Sequence, residues 1–335
     1  MRLSIIIPCY NSAAAIRRCL DSVYALSLQE SEFEVIVVND GSTDETGEIV
    51  GEYVTRHANL TLIRHLVNRN LGAARNTGIA AAKGDCIGFV DSDDEVGPGL
   101  VSAFRMLEEK KLDMVAMRVE KVKEDGTVDD TLALPYSSDA VFSGINLQEE
   151  HPFWCSATWG YLYSRSLIDR SEYPFAEGVY FEDVDFVCCH LYRADRLSYC
   201  DECGYRKFIN PTSITHSFSY KHIFGYAFLG TRMLSLFESL EDKSRLYALS
   251  VLEGGSFNIM KAFKYLFKCR SISEVCAFYN MFDSSCNRRK LWNYRNPAYC
   301  WTIWTRFCLR HRQIATLVVG LCVVLFNRIP IVGMV

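Results

Sequence analysis

Apolar and polar positions follow two alternating patterns along the first hundred residues. Short runs rich in β-branched residues, such as LSIIIP and FEVIVVND, are typical of strands buried on both faces. Segments with helical spacing lie between them, among them SAAAIRRCLDSVYAL and STDETGEIVGEYVTRH. Two further strand-like runs, LTLIRH and CIGFV, enclose the Ala-rich segment LGAARNTGIAAA. This alternation predicts a Rossmann-like α/β fold, with a mostly parallel central sheet flanked by helices.

Two helix starts are predicted from capping residues. Ser12 is placed to cap the first helix with its hydroxyl group. Ser42, followed three residues later by Glu45, forms a capping-box pattern ahead of the second helix.

Beyond the first hundred residues the predicted elements become more varied. The segment KEDGTVDD predicts a hairpin turn, and SATWGYLYSRSLI predicts a strand that leads into a short helix. YFEDVDFVCCHLYRA has helical spacing, whereas LSYCDECGYRKFINPTSITHS is typical of a strand followed by a loop. The spacing is helical again from about residue 220 to 282. The chain is therefore expected to comprise an α/β domain at 1–220, a helical C-terminal extension at 221–283 and a separate tail at 284–335.

Charge is distributed unevenly along the 335 residues, whose net charge is −4. The tail after Asp283 contains eight Arg and Lys residues and no acidic residue. Aromatic residues interleave with these arginines. A 13-residue apolar run, Ile314 to Phe326, follows; it is shorter than the roughly 20 residues of a membrane-spanning helix. This composition predicts an anchor at a membrane surface. A helix packed on the protein and a homodimer contact are the alternatives, and no nucleic-acid-binding module is recognisable.

The cysteines and the N-terminus indicate a compartment. Several of the 14 cysteines lie in apolar segments, and strand-like sequence follows Met1 directly, so no signal peptide is expected. We therefore expect free thiols in a reducing cytoplasm, with the protein peripheral on the inner face of the cell membrane. The CDEC segment at 200–203 lacks the nearby additional ligands that a zinc site needs.

Acidic residues cluster where the predicted strands end. Asp91, Asp93 and Asp94 follow the fourth strand within DSDD, and Asp40 follows the second strand. Ligands bind beyond the carboxyl ends of the strands in such sheets, so these side chains are expected at one edge. Carboxylate oxygens suit Mn²⁺ or Mg²⁺ bound together with a diphosphate. For DSDD in isolation, a solvated acidic turn is an equal alternative.

Five motifs occur in a fixed order: SIIIPCYN, VIVVNDGSTDET, NLGAARNTGIAAAKGDCIGFVDSDD, TWGYLYSRSLI and FEDVDF. In this order they resemble the large inverting glycosyltransferase family with a GT-A fold, often called family 2. The resemblance covers about residues 1–220, and the family includes members that build bacterial surface polysaccharides. It implies a nucleotide-sugar donor, expected to be a UDP-sugar, and Mn²⁺ or Mg²⁺ as cofactor.

The resemblance also implies roles for individual residues of the donor site. Asp40 would accept a hydrogen bond from the nucleotide base, and Arg75 would contact the nucleotide. Asp91 and Asp93 match the DxD motif, with Asp93 the expected metal ligand and Asp94 a further candidate for that role. Asp91 is a candidate both for nucleotide binding and for metal binding, and the other implied nucleotide-binding residues are Pro8, Tyr10, Asn11 and Ser92.

The remaining implied residues lie later in the chain. Asp183 resembles the catalytic base, and Glu182 would help to fix it. The segment after this pair supplies Arg206 and Lys207 as candidates for diphosphate contact, and His216 as a further candidate metal ligand. Trp159 is expected either in the core or in the wall of the acceptor pocket.

These patterns together predict a metal-dependent inverting transferase that moves one sugar per event to a hydroxyl of a glycan or lipid-linked acceptor. The Gln-x-x-Arg-Trp motif of processive members is absent from the sequence. The nearest alternative is transfer to a polyprenyl phosphate, which needs no base. A receiver-like or phosphatase-like Mg²⁺-binding domain would need a nucleophilic Asp after the first strand, where Pro8, Cys9 and Tyr10 stand instead. An inactive binding module is the third alternative.

Overall fold

The computed structural model describes residues 2–151 and 154–209, with single positions at 222, 225, 228, 229, 232 and 233. His216, nearly all of the expected extension at 221–283 and the whole tail at 284–335 lie outside the described residues. The chain divides into two compact units, Met1–Gly178 with Glu182–Thr212, and Val179–Phe181 with Ser213–Val335. The candidate site belongs to the first unit.

Helices and strands alternate through the described part of the first unit. In chain order they are β1 (Leu3–Cys9), α1 (Ile16–Tyr24), β2 (Phe33–Asn39), α2 (Thr46–Arg56), β3 (Leu60–Arg64), α3 (Asn70–Ala81), β4 (Cys86–Phe89), β5 (Glu95–Val96), α4 (Gly99–Glu109), β6 (Met114–Val122), β7 (Val128–Leu132), α5 (Gly144–Glu150), β8 (Tyr161–Ser164), α6 (Arg165–Ser171), α7 (Glu182–Arg193) and β9 (Leu197–Phe208). A 3-10 turn, Thr158–Gly160, precedes β8.

All these strands join one sheet in the order β3-β2-β1-β4-β8-β6-β9-β5, with β7 paired to β6. The first four strands are parallel, as their apolar runs predict. The second half is mixed: β8 is antiparallel to both β4 and β6, β9 is parallel to β6, and β5 is antiparallel to β9. β6 therefore runs in the same direction as β4. The residues that precede β6 lie at the amino ends of these strands, opposite the carboxyl ends where the residues that follow β4 lie.

Strands β1 and β2 form the centre of the core. All seven residues of each are buried, which is why their sequences show no alternation of apolar and polar positions. The Ala-rich helix α3 lies very close to β1. A Cβ atom on Gly78 would lie 2.3 Å from Ile6 Cγ2, so this contact needs a residue without a side chain.

Both predicted helix caps are wrong, for the same physical reason. Helix α1 begins at Ile16, and the Ser12 hydroxyl instead lies 2.7 Å from the Ser92 hydroxyl. Helix α2 begins at Thr46, and the Ser42 hydroxyl accepts a hydrogen bond from the Asn11 N–H at 3.0 Å. These hydroxyl groups join neighbouring loops at the carboxyl edge of the sheet and are not used to cap helices.

Candidate active site

Asp40 follows β2 and is held on two sides. Its carboxylate is 3% exposed, and both of its oxygens lie 3.0 Å from the Arg69 backbone N–H. Oδ1 also lies 2.6 Å from His65 Nδ1, and the other ring nitrogen of His65 is 3.0 Å from the Thr77 hydroxyl. The loop after β3 and helix α3 therefore fix the orientation of the proposed base-reading carboxylate.

The end of β1 lies beside Asp40. Cys9 pairs with Asn39 in the parallel register, and the Asp40 N–H donates to the Cys9 carbonyl at 2.8 Å. Tyr10 follows directly and is 47% exposed. Asn11 has a positive φ of 49°, and its side-chain oxygen accepts a hydrogen bond from the Thr43 N–H at 2.9 Å. Pro8 is buried within β1, so Tyr10 and Asn11 are the accessible members of the three predicted pocket residues.

Arg75 links distant parts of the chain. It lies on α3, is 2% exposed, and donates from Nη2 to Asp91 Oδ1 at 2.9 Å and from Nη1 to Glu182 Oε1. Its guanidinium carbon lies 5.5 Å from the centre of the Phe175 ring. Burial alone would lower the pKa of Arg75, but Asp91, Glu182 and Asp183 together raise it. Because Glu182 is buried too, the pairing of Arg75 is not a surface ion pair.

The acidic pair Glu182-Asp183 begins helix α7. Glu182 is buried, and burial raises its pKa against the opposing effect of Arg75. Asp183 is partly exposed, and the burial of its surroundings, with the nearby charge of Glu182, raises its pKa to about 7. Glu182 thus forms an ion pair with Arg75, whereas Asp183 receives no hydrogen bond from the side chain of any other described residue.

The carboxylates of the DSDD loop and of Glu95 differ in their partners. Asp91 pairs with Arg75, and Asp94 accepts hydrogen bonds from the Phe208 N–H, the Tyr205 hydroxyl and Lys207. Glu95 pairs with Arg206 at 2.8 Å and with Arg18 at 3.5 Å. The Asp93 carboxylate has neither a hydrogen bond nor an ion pair within the described part of the chain. Mutual repulsion in this loop is therefore relieved by cations of the protein everywhere except at Asp93.

The predicted residues of β9 lie near this loop. Lys207 Nζ lies 3.2 Å from Asp94 Oδ2 and 5.6 Å from the centre of the Trp159 ring. Burial would lower the pKa of Lys207, but the nearby Asp94, Asp91 and Asp93 raise it. Trp159 is buried and stacks on Tyr205 with 4.8 Å between ring centres. Arg206 is engaged by Glu95, which it faces in the β5–β9 pairing, so a diphosphate contact would compete with that ion pair.

Within residues 2–151 and 154–209, no cluster of three or more His, Cys, Asp and Glu side chains is arranged to hold a metal ion. The residues present nevertheless fit a divalent cation that takes most of its ligands from the substrate and from water. Asp93 offers a hard, unpartnered carboxylate, and Mg²⁺-like ions are commonly held by one or two carboxylates together with substrate phosphates and water.

Residues 4–170 match the family model for glycosyl transferase family 2. The chain belongs to glycosyltransferase family 2. It is 36% identical over 220 residues to the uncharacterized glycosyltransferase EpsJ of Bacillus subtilis, covering 64% of this chain and 62% of EpsJ. It is 28% identical over 220 residues to the uncharacterized glycosyltransferase YibD of Escherichia coli, covering 64% of this chain and 63% of YibD. The chain thus spans less than two thirds of the length of either relative.

Solved glycosyltransferase structures share the architecture. TarS 1-349 of S. aureus in complex with UDP-GlcNAc has a TM-score of 0.69 at 20% identity, covering 98% of this chain and 92% of TarS 1-349. The mannosyltransferase PcManGT of Pyrobaculum calidifontis, in complex with GDP-Man and Mn²⁺, has a TM-score of 0.54 at 18% identity, covering 96% and 87% of the two chains. The expected GT-A fold is therefore confirmed for this family 2 protein.

Sequence reasoning assigned no partner to several residues that shape the site. His65 contacts Asp40, Tyr205 contacts Asp94, and Arg18 lies against Phe208 with 3.6 Å between its guanidinium carbon and the ring centre. None of the three belongs to a motif that we singled out for such a contact. Such contacts could have been anticipated only from the order of the strands in the sheet, because β9 is the strand that reaches the DSDD loop.

Proposed function

We propose that this protein transfers a single sugar from a nucleoside-diphosphate sugar, with UDP the expected nucleotide, to an acceptor hydroxyl with inversion at the anomeric carbon. The observation that carries the proposal is the buried Arg75, which contacts both Asp91 of the donor loop and Glu182 of α7. This one cation joins the proposed nucleotide-binding loop to the residue pair that contains the proposed base. A family 2 relationship and the likeness to TarS, solved with UDP-GlcNAc, support the same interpretation.

The chain's own residues suggest a division of labour. Asp40, fixed by His65 and Arg69, would accept a hydrogen bond from the base, with the exposed Tyr10 beside it. Asp93 would hold a divalent cation, with Asp91 close by; that ion would supply charge neutralisation for the departing diphosphate. Lys207, at the end of β9, would add a positive charge near the diphosphate.

Asp183 is the proposed general base. Its pKa of about 7 lies near neutral pH, where a carboxylate combines adequate basicity with a substantial ionised fraction. Glu182, bound to Arg75, would fix the start of α7 and so the position of Asp183. Because a single base serves a single displacement, the anomeric centre would be inverted; a retaining hydrolase would instead need a pair of carboxylates flanking the bond.

The acceptor is proposed to be a glycan or a lipid-linked sugar at the membrane surface. The basic, aromatic and apolar tail supports this proposal on its sequence alone, since it lies outside the described residues. Of the helices that the structure describes, none has the length and apolar character needed to cross a bilayer. Transfer to a polyprenyl phosphate is the second candidate, because its anionic acceptor would need no base.

The test combines a donor panel with one substitution. Purified protein is assayed by thermal shift against UDP-, GDP- and dTDP-sugars with and without Mn²⁺, because a ligand that binds only the folded state raises its apparent stability. Asp183→Asn should then lower turnover by about 10²- to 10⁴-fold, the usual contribution of a general base, while UDP binding is retained. Asp169→Asn, on the exposed face of α6, serves as the control.

Two results would contradict the proposal in different ways. The absence of any donor-dependent shift for the wild-type protein would remove the transferase assignment. Retention of turnover in Asp183→Asn, with a normal donor-dependent shift, would favour the polyprenyl-phosphate acceptor.

A further inference from the structure

Asp94, the last acid of the DSDD loop, differs from its neighbours in being completely buried. Both of its oxygens are engaged: Oδ1 accepts from the Phe208 N–H at 2.7 Å, and Oδ2 accepts from the Tyr205 hydroxyl at 2.6 Å and from Lys207 Nζ at 3.2 Å. All three donors belong to the end of β9. One carboxylate therefore fastens the donor loop to a strand that lies more than a hundred residues later in the chain.

Tyr205 completes this connection from the side of the strand. Its hydroxyl donates to Asp94 and also lies 3.2 Å from the Asp91 N–H, from which it accepts. The same oxygen atom therefore contacts the first and the last acidic residue of the loop. Its ring is buried and stacks on Trp159, which limits the movement of the hydroxyl group.

A second connection reaches the residue between them. Arg18 of α1 donates from Nη2 to the Asp93 backbone carbonyl, and its guanidinium carbon lies 3.6 Å from the centre of the Phe208 ring. The Asp93 backbone is thereby held by α1, through an arginine that packs against the same end of β9 that binds Asp94. Among the four described residues Asp91 to Asp94, only Asp93 has a side chain with neither a hydrogen bond nor an ion pair to another described residue.

We propose that Asp94 is a positioning residue that holds Asp91 and Asp93 in their binding geometry by fastening the loop to Tyr205, Lys207 and Phe208 of β9. This inference rests on the proposed function, and it removes Asp94 from the candidate metal ligands. A carboxylate that accepts three hydrogen bonds from the protein and has no solvent-exposed surface could reach a metal ion only if the residues that cover it moved. Its replacement would leave buried donors unsatisfied, which is costly in a protein interior.

The arrangement has a consequence for binding. Because the loop is anchored when the protein folds, binding of the nucleotide would not have to order it. The free-energy cost of ordering the loop would therefore not weaken nucleotide binding. Asp94 should therefore influence nucleotide binding even when no metal is present. A metal ligand should influence it only when the metal is present.

The experiment exploits this difference with calorimetric titration of UDP into the full-length protein, in EDTA and again in Mn²⁺. The variants are Asp94→Asn, Tyr205→Phe and the double variant. Matched controls come from the rest of the sheet. Asp113 also accepts two backbone N–H groups and an Arg170 ion pair, but it precedes β6, at the opposite edge. Tyr161 is equally buried and donates to the Cys155 carbonyl at 2.9 Å.

We expect each site variant to raise the Kd of UDP in EDTA by about tenfold, the effect of losing one or two buried hydrogen bonds. The double variant should fall well short of the hundredfold increase expected for independent sites, because both residues act through one contact. Asp113→Asn and Tyr161→Phe should change the Kd by less than about twofold.

Several outcomes would overturn the role of Asp94. An unchanged Kd in EDTA for Asp94→Asn, combined with weaker binding in Mn²⁺, would make it a metal ligand. Lower melting temperatures with unchanged Kd values would make the contact merely structural. If Tyr205→Phe fails to fold, the metal-free Kd of Asp94→Asn alone decides. A wild-type protein that binds UDP in neither EDTA nor Mn²⁺ would instead contradict the proposed function in its choice of UDP as the donor nucleotide.

Discussion

Replacement of Arg75 by Met is the most informative perturbation of this site. It removes the buried guanidinium group and keeps an unbranched apolar side chain in place of the aliphatic part, which leaves Glu182 without its cation and Asp91 without its salt bridge. Removing one partner of a buried ion pair costs about 3–5 kcal/mol, because the remaining charge stays desolvated. In a domain of about 200 residues, each kcal/mol lowers the melting temperature by about 2–4 °C. We therefore expect a loss of roughly 10 °C at pH 8.

The loss should depend on pH in a definite direction. Burial raises the pKa of Glu182 and, to about 7, that of Asp183. An acid whose pKa is raised by folding stabilises the folded state while it is protonated, and this contribution is lost as pH rises through the folded pKa. Arg75 offsets the loss in the wild-type protein by pairing with the ionised forms. The difference between Arg75→Met and wild type should therefore be largest at pH 8 and smaller at pH 5.

The assay is thermal unfolding of the full-length protein, followed at both pH values. Arg170→Met is the matched control, because Arg170 pairs with Asp113 at 2.7 Å but is half-exposed, and exposed pairs are worth about 1 kcal/mol or less. Adding Glu182→Gln to Arg75→Met should recover part of the stability, since it removes one uncompensated charge. The reasoning is refuted if Arg75→Met melts within about 2 °C of wild type at pH 8, or if its deficit grows in acid.

Two further predictions concern catalysis and packing. Turnover should increase with pH through about 7, because Asp183 must be ionised to accept a proton; a rate profile that is flat from pH 5 to 9 would exclude it as the base. Gly72→Ala should destabilise the protein by about 1–3 kcal/mol, because a Cβ atom there would lie 2.0 Å from the Ala176 carbonyl oxygen. Gly51→Ala is the control, because a Cβ atom there meets nothing within 4 Å, and it should be neutral or stabilising by up to about 1 kcal/mol. The two variants are compared by their midpoints of unfolding in urea. Equal midpoints would contradict the steric argument.

The parts of the fold that sequence reasoning predicted are those governed by local pattern. β1 and β2 have continuous apolar runs because helices cover both of their faces, and such runs can be recognised without knowing their neighbours. The hairpin between β6 and β7 was predicted from its turn residues, with Gly126 at a φ of 86°. The reversal of β8 within the sheet was not predicted, because four residues, YLYS, do not specify the direction in which a strand pairs.

The site shows the same limit. The motifs identified Asp91, Asp93 and Asp183 as candidate site residues, but the sequence does not distinguish the carboxylates of DSDD from one another. Their different roles are proposed from partners that lie far along the chain, such as Tyr205 for Asp94. The failed caps have a related cause: Ser12 and Ser42 have the residue type of a cap, and contacts between loops determine how their hydroxyl groups are used.

The position of β9 bears on how small a working piece of this protein could be made. The family match ends at residue 170, yet β9 lies between β6 and β5 inside the sheet and ends beside the DSDD loop. A fragment cut at residue 170 would lose an interior strand, leave the edge of β6 open to association with other chains, and lack Asp183 altogether. Insertions are better placed in the exposed β6–β7 turn around Gly126, where a Cβ atom would meet nothing within 4 Å and no strand pairing would be lost.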